Sequence, residues 1–266
     1  MEKVFNWKNS TIAYTHYGVG QKSIIAFHGY GQTKEMFGPF TEVFGQDYQI
    51  IAVDLPFHGN TVWKGKEMLD PAEVYAFSQA FLEHVNVQDR FSVLAYSIGG
   101  NYALSLASAF ATRVDRLWLI AADGLKFKPG FWFITRTVLG KWLFKGFVQF
   151  PGPAIGLIKL LNFVGFYPDK LRQFFLTSIS DKQKRIAIYK RWRSVSQMVR
   201  NQKEVLDALN GAHIRVDMYF GRYDKIIPLK NAVEFDRKLD YSRLVILEDG
   251  HQLLHRITYQ KMKEDL

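Results

Sequence analysis

Cysteine is absent from the 266 residues. Disulfides, zinc–thiolate sites and a cysteine nucleophile are excluded with it. The absence fits a reducing compartment, and the expected location is cytoplasmic. No run of roughly 18 apolar residues occurs, so a membrane-spanning helix is not expected. The opening Met-Glu-Lys-Val-Phe-Asn-Trp-Lys has no basic region followed by an apolar stretch, and no signal peptide is expected. Internal repeats and low-complexity segments are also lacking. Acidic residues are few: 25 Asp and Glu face 35 Lys and Arg, for a net charge of +10. That balance favours acidic partners such as anionic lipid, nucleic acid or an anionic substrate, without choosing among them. With 48% hydrophobic and 23% charged residues, global disorder is excluded.

Short apolar runs rich in β-branched residues alternate with longer helical patterns. Residues 23–28 (SIIAFH), 48–54 (YQIIAVD), 91–96 (FSVLAY), 117–121 (LWLIA), 214–220 (IRVDMYF) and 243–247 (RLVIL) read as buried strands. Helices are predicted near 34–44, 71–86, 98–111, 228–239 and 252–264. Residues 4–7 and 12–17 predict an antiparallel hairpin on one edge. Strands alternating with helices point to an α/β fold with a mostly parallel, doubly wound sheet.

Residues 126–200 break this rhythm. They hold fifteen Lys and Arg against two acids, Asp169 and Asp181, so the stretch carries about +13 and the remainder about −3. Fifteen of the 41 aromatics also fall here. Pro151-Gly152-Pro153 and Pro168 divide it into short helices. An insertion of this kind between two strands reads as a lid. Its aromatics either form the core of a helical cap or line an apolar site.

Five loops carry chemistry. In Ala95-Tyr96-Ser97-Ile98-Gly99-Gly100 a strand runs into a serine at a sharp turn, and a helix follows. A strained serine backbone needs small neighbours two before and two after it, and Ala95 and Gly99 stand there. The same pattern alone also fits a serine capping a helix. In Phe27-His28-Gly29-Tyr30-Gly31 a strand ends in a glycine turn that allows a backbone N–H to point into a pocket. With the N–H after the serine, that would make Tyr30 and Ile98 two donors for a developing oxyanion. Asp54, in Asp54-Leu-Pro56-Phe-His58-Gly59, reads as a loop-holding acid. Asp224 follows a strand and precedes Pro228, and His251 follows a strand and a glycine turn. Asp123, after the strand that follows the serine helix, is a competing acid.

The order Ser97, Asp224, His251, each just past a strand, resembles the α/β-hydrolase fold superfamily, in its lid-bearing group of esterases, C–C hydrolases and haloperoxidase-like enzymes. The resemblance covers roughly residues 10–125 and 200–266, and residues 126–200 match only by position. It implies a sheet of about eight strands with a helical cap inserted after the sixth. The expected division is a core of 1–125 with 201–266 and a cap of 126–200. It implies Ser97 as nucleophile, His251 as base, Asp224 as its orienting acid, Tyr30 and Ile98 as oxyanion donors, and His28 and Gly29 as supports of the oxyanion loop. The family pattern has glycine where Ala95 stands. Serine at 97 argues against the dehalogenases and epoxide hydrolases of this fold, which attack with a carboxylate.

The expected reaction is hydrolysis of a carboxylic ester with an apolar acyl group through an acyl-enzyme, with no metal or other cofactor. Tyr96, Asp123, Phe131, Trp132 and Trp142 are candidates for the substrate pocket. A basic cap could also meet an anionic membrane surface, and its aromatics could form a dimer surface. A C–C hydrolase and a catalytically silent fold used for binding are the alternatives; the complete triad counts against the second. No nucleic-acid motif is present, and no nucleic-acid partner is expected.

Overall fold

The computed structural model describes residues 2–165, 169–198 and 201–266. Pro168, read above as a helix breaker, and Arg200, the end of the expected insertion, lie outside them. The chain divides into two compact units, Met1–Phe127 with Gln197–Leu266, and Lys128–Ser196.

In the first unit, eight strands form one sheet: β1 (Glu2–Trp7), β2 (Ser10–Tyr17), β3 (Lys22–Phe27), β4 (Tyr48–Val53), β5 (Phe91–Tyr96), β6 (Val114–Ile120), β7 (Arg215–Gly221) and β8 (Ser242–Leu247). Their order is β1-β2-β4-β3-β5-β6-β7-β8. β1 and β2 form the edge hairpin, β2 meets β4 antiparallel, and the remaining pairs are parallel. All six residues of β5 are buried. This continuous apolar run is what a central parallel strand with both faces covered requires.

Helices cover both faces. A 3-10 helix (Lys34–Phe40) leads into α1 (Thr41–Phe44), followed by α2 (Pro71–His84) and α3 (Gly99–Ala109). α2 starts where Asp70 accepts the Glu73 N–H and Pro71 occupies the first turn. Its apolar side meets the edge hairpin, with Phe81 5.6 Å from Phe5 and Phe77 5.4 Å from Trp7 between ring centres. Elsewhere in the unit Phe40, Phe44 and Trp118 are fully buried, with Phe44 and Trp118 4.8 Å apart. Each such buried aromatic contributes roughly 1.5–3 kcal/mol.

The second unit follows β6 and is helical: α4 (Pro129–Arg136), α5 (Val138–Gln149), α6 (Gly152–Phe163), α7 (Asp169–Ser178) and α8 (Lys182–Val195). Thr137 caps α5 through the Gly140 N–H, and Asp181 caps α8 through the Lys184 N–H. Phe144, Ile188, Tyr189 and Val195 make its small core, with the Phe144 ring 5.1 Å from Tyr189 edge-on. The chain then returns to the first unit through α9 (Gln202–Gly211), β7, α10 (Leu229–Asp236), β8 and α11 (Arg256–Glu264).

Three elements differ from the sequence expectation. The helix predicted over 34–44 begins as a 3-10 helix, because Pro39 inside it has no N–H for an α-helical bond. The last helix starts at Arg256 rather than near 252, because residues 250–255 are held as a loop by Leu253 N–H to His251 C=O and His255 N–H to Leu253 C=O. α9 was not anticipated. It starts at an Asn201 cap and buries Val205, Leu206 and Leu209.

Candidate active site

The loops leaving the C-terminal ends of β3, β4, β5, β7 and β8 carry the candidate residues, the edge where open parallel sheets place their sites. Ser97 follows β5 directly. Its φ is +51°, the left-handed region that a non-glycine residue occupies only under constraint. The constraint is a set of main-chain bonds. The Ser97 N–H donates to Ile120 C=O at 3.1 Å, and Ser97 C=O accepts from Asp123 N–H at 2.8 Å and Gly100 N–H at 2.9 Å. The turn also needs a helix start without side chains. A Cβ on Gly99 would lie 2.3 Å from the Phe27 carbonyl oxygen, and one on Gly100 would lie 2.3 Å from that of Asp123. Ala95 is fully buried, paired with Phe27 and Leu119.

The three residues read as a triad form one hydrogen-bonded chain. Ser97 Oγ lies 2.9 Å from His251 Nε2, and His251 Nδ1 lies 2.7 Å from Asp224 Oδ2. The other carboxylate oxygen of Asp224 accepts the N–H groups of Ile226 and Ile227, both at 2.8 Å. Asp224 is thus a buried acceptor with both oxygens engaged, as a group that orients an imidazole must be. Asp123, the competing acid, is tied to the serine turn by its own N–H, and the carboxylate bonded to His251 is that of Asp224.

Tyr96 is buried. Its hydroxyl donates to His251 C=O at 3.0 Å, and its ring lies 5.5 Å from the imidazole. Burial, with the nearby Asp224 carboxylate adding to it, pushes the phenol up to about 12. Tyr96 therefore braces the histidine loop.

His28 is fully buried in the loop after β3. The Leu55 N–H donates to its Nε2 at 3.0 Å, so Nδ1 carries the hydrogen and donates to Gly29 C=O at 2.8 Å. The Gly29 N–H is taken by Gln32 Oε1 at 3.2 Å. A Cβ on Gly29 would lie 2.7 Å from the Tyr96 ring. Tyr30 follows, its ring edge-on to His58 at 6.0 Å. Ile98 occupies the position just before α3.

One anchor of this loop was missed by sequence reasoning. Lys34 is 1% exposed. Its N–H donates to Asp54 Oδ1 at 2.8 Å, and its ammonium meets Asp54, Glu2 and Glu35 at 2.9, 2.7 and 2.8 Å. Asp54 also accepts the Asn60 N–H, which fits the loop-holding role expected of it. The signal was the spacing 34, 37, 40: Lys34 shares the buried side of its helix with Phe37 and Phe40.

Phe131, Trp132 and Trp142 all lie in the second unit. Phe131 packs 5.7 Å from Trp192, while Trp132 and Trp142 are exposed. Among the described residues, no group of three or more His, Asp and Glu is placed to hold a metal ion.

The eight-stranded sheet, its edge hairpin and the helical insertion after the sixth strand define an α/β hydrolase. The family model described as alpha/beta hydrolase fold matches residues 22–255, and the chain belongs to that family. Within it, the chain is a hydrolase similar to esterases and lipases. It is 22% identical over 264 residues to a monoacylglycerol lipase of Xenopus laevis, covering 95% of this chain and 77% of that one. It is 33% identical over 101 residues to a pimeloyl-[acyl-carrier protein] methyl ester esterase of Legionella pneumophila, a match spanning 38% of each. Among solved structures it resembles MGS-M2, an alpha/beta hydrolase enzyme from a Medee basin deep-sea metagenome library, with a TM-score of 0.70 and 14% identity over 98% of this chain and 94% of that one.

Proposed function

We propose that this hydrolase cleaves carboxylic esters with an apolar acyl group through an acyl-enzyme on Ser97. The relay from Ser97 Oγ to His251 at 2.9 Å and on to Asp224 at 2.7 Å carries the reading. A serine hydroxyl is a weak nucleophile at neutral pH, and it needs a base within hydrogen-bond reach. His251 Nε2 takes the proton as Oγ bonds to the ester carbonyl carbon. Asp224 holds the Nδ1–H tautomer and stabilises the imidazolium. The carbonyl electron pair moves to oxygen, where the N–H groups of Tyr30 and Ile98 receive it. Each such donor lowers the barrier by about 3 kcal/mol. The tetrahedral intermediate collapses, and the alcohol leaves with the proton from His251. Water then repeats the sequence and releases the acid.

Two named relatives act on esters, a monoacylglycerol and a pimeloyl-[acyl-carrier protein] methyl ester. They support ester over carbon–carbon bond cleavage, and the first supports an apolar acyl chain.

The test is labelling with a fluorophosphonate probe, followed by hydrolysis of p-nitrophenyl esters of increasing acyl length. The intact protein is expected to label and to hydrolyse the series. Ser97→Ala is expected to lose labelling entirely and to lower kcat by about 10⁶-fold. A folded protein that neither labels nor turns over any ester sinks the reading and favours a catalytically silent fold.

A further inference from the structure

We propose that α5 and α6 of the second unit form a docking face for anionic lipid bilayers. α5 has two sides. Gly140 and Phe144 are buried on one, where Phe144 packs on Tyr189 and Trp192 of α8. The other side turns Val138, Leu139, Trp142 and Leu143 to solvent, with Val138 85% and Trp142 71% exposed. These four share one stripe by their spacing of one, three and four residues. Phe150, just past the helix end, is 75% exposed. α6 packs beside α5 and buries none of its residues, although its sequence Gly-Pro-Ala-Ile-Gly-Leu-Ile-Lys-Leu-Leu-Asn-Phe has a single charge. Its Leu157, Leu160 and Phe163 are exposed, Phe163 to 87%.

Two adjacent helices with apolar outer sides are costly in water, and a run of this size on a single chain marks a surface that something covers. Charge identifies the occupant. Lys141, Lys145 and Lys159 are the charges of α5 and α6, and no Asp or Glu occurs anywhere from Gly124 to Pro168. Apolar and aromatic side chains flanked by lysines, without acids, are the composition of a helix that lies in the bilayer interface. Anionic headgroups supply the counter-charge that the protein withholds. A second copy of this chain fits less well. A two-fold contact would set the same lysines against themselves with no acid in either helix to pair them. Each helix has 12 residues, about 18 Å, against roughly 30 Å of hydrocarbon. No helix among the described residues is long and apolar enough to cross a membrane. The contact therefore lies along the surface.

The experiment is flotation of the whole chain with vesicles of phosphatidylcholine alone and of phosphatidylcholine mixed with phosphatidylglycerol, at low and high salt, with light scattering to report mass. Binding is expected on the mixed vesicles, weakening as salt rises. Lys145→Glu with Lys159→Glu is expected to reduce it about tenfold or more. Leu139→Ser with Phe163→Ser is expected to reduce it at either salt. Leu139 and Phe163 carry the apolar contact and Lys145 and Lys159 the charge; all four sit at the surface, so melting temperature serves as the folding check. The proposal is overturned by intact protein that stays unbound on mixed vesicles. Equal binding by the intact protein and the charge variant also overturns it. So does a dimer in solution that Leu139→Ser with Phe163→Ser converts to monomer. None of these outcomes depends on the ester reading.

Discussion

Tyr96 joins the candidate nucleophile to the candidate base, standing next to Ser97 in sequence and donating its hydroxyl to the His251 carbonyl. Removing that one hydrogen bond, worth about 1 kcal/mol, loosens the histidine loop without touching the relay. Tyr96→Phe is therefore expected to lower kcat about fivefold and leave KM unchanged. Because the phenol sits at about 12, the donor keeps its proton through the working range. The defect should then be the same from about pH 6 to about pH 9, which a kcat profile of both proteins checks. Gly99 makes a second prediction. Its missing Cβ leaves room for the Phe27 carbonyl at a point only 2.3 Å away, so Gly99→Ala forces backbone to move. A loss of about 2–3 kcal/mol in urea unfolding is expected. Ser97, Asp224 and His251 were legible because each carries a local signature of strand end, small residue and turn. Tyr96 was read as a pocket candidate because a tyrosine at a strand end does not disclose where its hydroxyl goes.

At the scale of elements, the loop after β3 and the loop after β4 hold each other. Leu55 N–H reaches His28, and Lys34 reaches Asp54 with both its main chain and its ammonium. Burial lowers the affinity of Lys34 for its proton, yet the carboxylates of Glu2, Glu35 and Asp54 outweigh it and raise the ammonium above its ordinary value. Burial likewise raises Glu35, but Lys34 overcomes this and brings it from 4.5 down to about 2. A carboxylate depressed in the folded state stabilises above its ordinary value, and that stabilisation is lost as pH falls from 4.5 toward about 2. Lys34→Met leaves the Asp54 carboxylate buried and unmatched, so a loss of about 3 kcal/mol is expected at neutral pH. Over the acid window the variant should lose less further stability than the intact protein, because Glu35 loses Lys34, the main partner that holds it low. Urea unfolding of both proteins at neutral and acid pH measures the difference. The central parallel strands were readable from apolar runs, since they bury both faces; β8, expected as a buried strand, lies at the sheet edge with only Leu247 buried. This cluster was not, because a lysine reads as surface and its three acids come from β1, the next residue and the loop after β4. α9 was hidden for a related reason: it follows directly on the basic stretch that draws the eye as an insertion.

For the whole molecule, charge is the uneven quantity. Residues 126–200 carry about +13 and the rest about −3, so the net +10 belongs to one part of the chain. A net field of that sign accelerates capture of anions and is screened by salt. For an ester bearing a carboxylate on its alcohol, kcat/KM is expected to fall as ionic strength rises. For a neutral ester of equal acyl length it should stay flat. Parallel rate measurements across a salt series decide the matter; identical salt slopes for the two esters would remove steering.

The sheet order has one more consequence, and it concerns time rather than space. Ser97 precedes His251 by 154 residues, and β8, which leads to the histidine, is the far edge of the sheet. A ribosome working at about 5–20 residues per second makes the serine many seconds before its proposed base. During that interval the hydroxyl is an ordinary alcohol. On the proposed reading, any chain that stops short of His251 carries the candidate nucleophile without its base, so a half-made molecule would be inert.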